Sequence, residues 1–202
     1  MQLGGRALRS VERDGWEVVL EYEGEEGAGP RVVDLSHRRK WLAQSEALTT
    51  VAPWALTAPA KPGEVSWESG FLVSRMGASQ AAVWHLGEGD PGGEPGSVPA
   101  LTEVTEGWLL LGVAGSQALS LADRLTTLDL TDPKRTAPYL LQGPFSHIPS
   151  SVVVLRKNGS DGAFLIACSR GYAHDLVRAL TRAGEAFGIR AAGESAMGRW
   201  LT

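Results

Sequence analysis

Residues 151–168, SVVVLRKNGSDGAFLIAC, decide the fold. Two apolar runs, 151–157 and 162–168, flank the polar stretch NGSDG. Asn-Gly and Asp-Gly tolerate the positive φ that a tight hairpin turn demands, so the segment reads as two antiparallel strands. A second pair upstream has the same form: GFLVSRM (70–76) and QAAVWHL (80–86), joined by Gly77-Ala78-Ser79.

Each pair follows a segment composed on one plan. VVDLSHRRKWLAQSEALTTVAPW and LTEVTEGWLLLGVAGSQALSLADRLTTLDL both open on an acidic, an aliphatic and a hydroxyl residue, Asp34-Leu35-Ser36 and Glu103-Val104-Thr105. Each is expected to run through an apolar strand into a helix opened by a short polar residue. In the second, Ser116 is the expected N-cap, and Leu119, Ala122 and Leu125 form a stripe at helical spacing. A closing helix over about 171–184 is expected to bury Ala173, Leu176, Val177 and Leu180, with Gly184 as its C-terminal cap.

The reading is therefore an α+β protein of two β-α-β-β modules with antiparallel sheets, sharing one core. The first module spans 1–86, a Gly/Pro-rich linker or loop 87–100, and the second module 101–202.

Composition limits the function. The 202 residues are 43% hydrophobic and 21% charged, as in an ordinary globular protein, and the net charge is −4. No basic face for nucleic acid is indicated. No apolar run reaches the length of a membrane helix, and the first fifteen residues lack the apolar core of a signal peptide. Cys168 is the one cysteine; after an apolar run it reads as a packed thiol, which suits a cytoplasmic, reducing location. The run His37-Arg38-Arg39-Lys40 reads as a solvated strand or loop edge, with an anion or partner contact as the alternative.

Other chemical signals are thin. Gly87, Gly89 and Gly92 spell a G-x-G-x-x-G, but Pro91, Pro95 and Pro99 forbid the helix that a phosphate-binding version needs. His37, His85, His147 and His174 lie far apart, without metal-ligand spacing. There is no nucleophile elbow. Seven tryptophans, at 16, 41, 54, 67, 84, 108 and 200, suit either core and rim packing or the anchors of a partner interface.

VVDLSHRRKWL, the 101–130 segment and the hairpin-helix run from 152 onward together resemble the glycine-cleavage T-protein (aminomethyltransferase) folate-binding superfamily. Gly115-Ser116-Gln117-Ala118 stands where that superfamily has a Gly-Pro-x-Ala turn. Chain length, VWHLGEGD (83–90) and Arg170, Tyr172 and Ala173 are most similar to the gamma-subunit family of heterotetrameric sarcosine oxidase. That resemblance implies a non-catalytic subunit or accessory protein in one-carbon metabolism. It would be held by a larger flavin-dependent amine oxidase-type subunit, with folate chemistry in the partner.

The departures from the superfamily concern the site. Ser69 and Gly70 stand where active members carry aspartates, with Glu68 one position away. Ser160 and Phe164 stand where its folate hairpin has glutamates, and Met197 lies near a family arginine. A pterin's N–H edge needs carboxylate acceptors, which those residues do not supply. The alternative is a folate-binding, aminomethyltransferase-like one-carbon enzyme with a degenerate site. Glu68 would then be the catalytic candidate, Arg75 and Asp161 the tetrahydrofolate contacts, and no metal is expected.

Overall fold

The structure is a computed structural model, and it describes residues 5–46, 48–52, 54–92 and 100–198. The chain opens with strands β1 (Ala7–Arg13) and β2 (Trp16–Tyr22), an isolated two-stranded hairpin. A six-stranded sheet follows from β3 (Pro30–Asp34), β11 (Trp108–Gly115), β12 (Tyr139–Phe145), β13 (Ile148–Asn158), β14 (Asp161–Ser169) and β15 (Arg190–Ala191), in the order β12-β13-β14-β11-β3-β15. A five-stranded sheet is ordered β10-β4-β9-β8-β7. Its members are β4 (Lys40–Gln44), β7 (Val65–Glu68), β8 (Phe71–Gly77), β9 (Gln80–His85) and β10 (Leu101–Glu103). β5 (Thr50–Val51) and β6 (Leu56–Thr57) form a small ribbon. Pairing is antiparallel throughout except β15 on β3. The helices are α1 (Ala118–Asp123) and α2 (Ala173–Gly184).

The central strands are apolar without alternation because both of their faces are buried. On β14, Phe164, Ile166 and Cys168 enter a core beneath α1 and α2, while Leu165 and Ala167 enter the core shared with the five-stranded sheet. Val152 and Val154 against Val153, and Leu111 against Leu110, divide in the same way. The five-stranded sheet places Leu72, Ala82 and Trp84 in the shared core, and Trp41, Phe71, Val73 and Val83 in a third cluster with residues of the β5–β6 ribbon.

The expected hairpin is present, with Gly159 at φ +60° in its turn, as is β8–β9. The helix expected in the first module is not. The apolar strand is there, as β4 at 40–44 between β9 and β10, but the described residues that follow it lead into the β5–β6 ribbon instead of a helix. Both sheets also cross the module division: β3 lies between β11 and β15, and β10 pairs with β4. Within the linker, residues 93–99, with Pro95 and Pro99, lie outside the described residues, as does Trp200.

Helix ends differ from expectation. Ser116 does not cap α1; its Oγ accepts from Gly29 N–H at 2.8 Å. The amide of Gln117, the left-handed residue before α1, donates instead to Asp161 Oδ1 at 3.1 Å. Gly184 remains helical and makes room for Ile189, whose Cβ would lie 2.6 Å from an added methyl. The left-handed residue that ends this region is Gly188, at φ +68°.

The two triplets form matched turns. Asp34 Oδ1 accepts Ser36 N–H at 2.9 Å, and Thr105 Oγ1 donates to Glu103 Oε1 at 2.9 Å. Each hydroxyl then binds the other half: Ser36 Oγ accepts Leu110 N–H at 3.2 Å, and Thr105 Oγ1 accepts Lys40 N–H at 3.0 Å. These reciprocal bonds fix the ends of β3 and β4 against β11 and β10.

The C-terminal segment holds the β1–β2 hairpin by close backbone approach. A Cβ at Gly193 would lie 2.0 Å from Leu20 O, so only glycine fits. Gly193→Ala is predicted to lower stability by about 3 kcal/mol or more, because β2 must move. Gly107→Ala, with open space around it, should change stability by less than about 0.5 kcal/mol. Urea denaturation of the two variants measures both.

Candidate functional site

A cleft of about 1070 Å³ opens between the β1–β2 hairpin, the 37–39 turn, the 86–91 loop and the C-terminal segment. Glu194 lies at its base. The carboxylate is almost wholly buried and meets three partners: Arg13 Nη1 at 2.5 Å, Arg38 Nη2 at 2.5 Å and His37 Nε2 at 2.9 Å. Burial opposes its ionisation, but the hydrogen bond from His37 and the charges of Arg38, His37 and Arg13 outweigh that, and its pKa falls to about 2. An ionised carboxylate only accepts, so His37 Nε2 carries the proton in this bond.

Lys40 shapes the turn that delivers His37 and Arg38. Its side chain is fully buried, and Nζ donates to Ser36 O and Arg38 O at 2.7 Å each. Burial pulls its pKa down to about 8 against the attraction of Asp34, Glu106 and Glu103. Arg39 points the other way and donates to Glu103 at 3.0 and 3.3 Å, a contact that raises its own pKa and lowers that of Glu103. The basic run is therefore not a solvated edge. His37, Arg38 and Arg39 meet carboxylates of this chain, and Lys40 is interior.

His85 is the second buried group of the cleft. It is 5% exposed, packs on Phe71 at 4.8 Å, and its ring makes no hydrogen bond among the described residues. Burial, then the charge of Arg38, lowers its pKa and keeps the imidazole neutral at pH 7. Arg38 Nη1 donates to Gly87 O, while Arg38 Nε is buried without a partner. At the cleft mouth Arg170 stacks on Trp16 at 4.7 Å, and both bind Glu106.

The residues singled out from the sequence lie elsewhere. Glu68, at the exposed end of β7, accepts Thr57 N–H at 3.2 Å. Arg75 is buried in β8, and its three guanidinium nitrogens donate to the carbonyls of Gly77, Leu48 and Ala78. Asp161 binds Gln117 N–H and Ser160 Oγ. No contact among the described residues joins these three. Cys168 is buried, and burial raises its thiol to about 11. No group of three His, Cys, Asp or Glu side chains among the described residues is placed to hold a metal ion. No helix among the described residues is long and apolar enough to cross a membrane.

Sequence reading missed Glu194 altogether. A lone glutamate in AAGESAMG carries no motif, and the usable signal was the density of cations at 37–40, which demands a buried or shared counter-charge.

A mixed α+β architecture of two antiparallel sheets and few helices is thus the class of protein that the fold defines. No family model matches the chain, and no curated protein matches it. Among solved structures, a chain of heterotetrameric sarcosine oxidase from Corynebacterium sp. U-96, in complex with pyrrole 2-carboxylate, has a similar fold. The TM-score is 0.61 at 15% identity, over 80% of this chain and 87% of that one. The resemblance to a sarcosine oxidase subunit therefore holds at the level of the fold.

Glu194 ionises more readily folded than unfolded, so the folded state binds fewer protons between its pKa of about 2 and the ordinary value of 4.5. Its contribution is fully present above pH 4.5 and is lost as pH falls toward 2. At neutral pH, Glu194→Gln should lower stability by about 3 kcal/mol. The difference from the parent should shrink through that acid window, as measured by urea unfolding at several pH values. A gap constant from pH 6 to pH 2 would contradict the assignment.

Proposed function

We propose that the chain is a non-catalytic accessory subunit of an amine-oxidising complex. It would be T-protein-like in its module plan, of the type of the gamma subunit of heterotetrameric sarcosine oxidase, and cytoplasmic. A larger flavin-dependent subunit is its partner. The observation that carries this reading is the extent of the fold match, which takes in 87% of a chain of that heterotetramer rather than a module of something much longer.

The state of the candidate folate contacts supports it. Arg75 is committed to backbone carbonyls, and Asp161 to the start of α1. The one dense cationic run faces internal carboxylates. Exposed Trp67 and Tyr172 are residue types that anchor interfaces.

The test is isolation of the affinity-tagged chain from its source organism, followed by size exclusion with absorbance recorded at flavin wavelengths. The expected result is co-elution with a larger flavin-containing polypeptide at fixed stoichiometry, in a complex that oxidises an N-methylated amine. The chain alone should show no turnover, and no thermal stabilisation by tetrahydrofolate. Elution of the chain by itself would overturn the reading. So would a folate-dependent gain approaching about 2.7 kcal/mol at a hundredfold excess over Kd.

A further inference from the structure

The cleft is acidic despite its arginines. Among the described residues, seven carboxylates and four guanidiniums line it. The arginines are all paired: Arg9 with Glu21, Arg13 and Arg38 with Glu194, and Arg39 with Glu103. The surplus stands at the rim. Glu12, Asp14 and Glu88 are exposed and make no ion pair among the described residues, and exposed Asp90 pairs with Arg39 at 3.4 Å, sharing it with Glu103. Rim charge of one sign draws the opposite sign and sets its approach.

Independent of that charge, the cleft is lined by one buried imidazole, His85, which has no hydrogen-bond partner among the described residues and packs beside Gly87. His85 Nε2 lies 3.1 Å from where a Gly87 Cβ would stand, and Arg38 binds Gly87 O. A neutral imidazole offers one acceptor and one donor nitrogen. Buried groups of this kind ordinarily have partners. A simple cation would satisfy only the acceptor. A peptide supplies cationic N–H groups for the rim, and an N–H and a carbonyl oxygen for the two ring nitrogens of His85. Trp16 and Arg170, stacked at the mouth, are residue types enriched at protein interfaces.

We propose that this cleft receives an extended, arginine- or lysine-bearing segment of the partner subunit, its cationic heads on the Glu12, Asp14, Glu88 and Asp90 rim and its backbone against His85. The proposal rests on the accessory-subunit reading and adds where and by what chemistry the partner docks.

The probe is a blocked peptide of three Gly-Arg repeats, titrated calorimetrically, with a peptide of three Gly-Glu repeats and spermidine as comparisons. Saturable binding of the basic peptide is expected, with neither comparison matching it. Glu88→Gln combined with Asp90→Asn removes two exposed charges. It should weaken binding about tenfold, on the scale of surface charge pairs, while leaving the melting temperature near that of the parent. His85→Leu should weaken binding without altering its salt dependence. No saturable binding, equal affinity for spermidine, or an unchanged affinity in the double variant would each overturn the proposal.

The isolated complex separates this inference from the reading beneath it. If no larger subunit accompanies the tagged chain, the accessory reading fails. If one does, and the double variant assembles as tightly as the parent at low and high salt, the docking site alone is wrong.

Discussion

One buried carboxylate governs how three parts of the chain meet. Glu194 brings together Arg13 from the N-terminal hairpin and His37 and Arg38 from the turn after β3, while its own segment closes the sheet edge through β15. Three neighbours suffice to keep the acid charged although it is nearly out of water. Removing it would leave Arg38 and His37 facing each other without a counter-charge, the situation in which a buried ion pair becomes most destabilising. The hairpin depends on this link, since two isolated strands are marginal in water, and β1 is exposed along most of its length. Gly193 adds the steric half of the same attachment by letting the C-terminal segment lie against the backbone of β2.

Behind the carboxylate stands Lys40. Its ammonium closes the 36–39 turn on two carbonyls, and its amide is held by Thr105. The turn that presents His37 and Arg38 is therefore fixed from the interior, and the matching hydroxyl bonds of Ser36 and Thr105 fix it to both sheets. The charged heads of the cleft wall are thus largely committed within the chain, which leaves His85 as a lining group without a hydrogen-bond partner among the described residues.

Strands were legible wherever local chemistry decided them. The β13–β14 hairpin follows from its turn residues and the two-faced burial of VVVL and AFLIAC, and α2 follows from its apolar spacing. The helix expected after β4 was misplaced, because the segment that follows pairs on itself as the β5–β6 ribbon and packs on Trp41 and Phe71, contacts that local propensity does not show. The N-cap of α1 was misplaced by one residue, since it is Gln117, and the amides of Gln117 and Leu119 go to Asp161 Oδ1 and Ser160 O of the distant β13–β14 turn. The matched triplets were recognised as a repeat, yet their purpose is reciprocal bonding between halves rather than opening a helix. Of the cleft, only the density of cations at 37–40 could be read. Glu68, Arg75 and Asp161, selected by position in a motif pattern, stand at a strand end, in a buried clamp on three carbonyls and at a helix start.

These features describe a chain whose charged residues chiefly hold its own elements together and whose remaining open chemistry faces outward at one cleft. Hydrogen exchange by mass spectrometry, on the free chain and on the chain within its isolated complex, tests this most directly. The account predicts that protection on assembly concentrates in the hairpin at 7–22 and the loop at 85–92, with the β13–β14 core unchanged. Protection that rises elsewhere while both cleft segments exchange as in the free chain would contradict it.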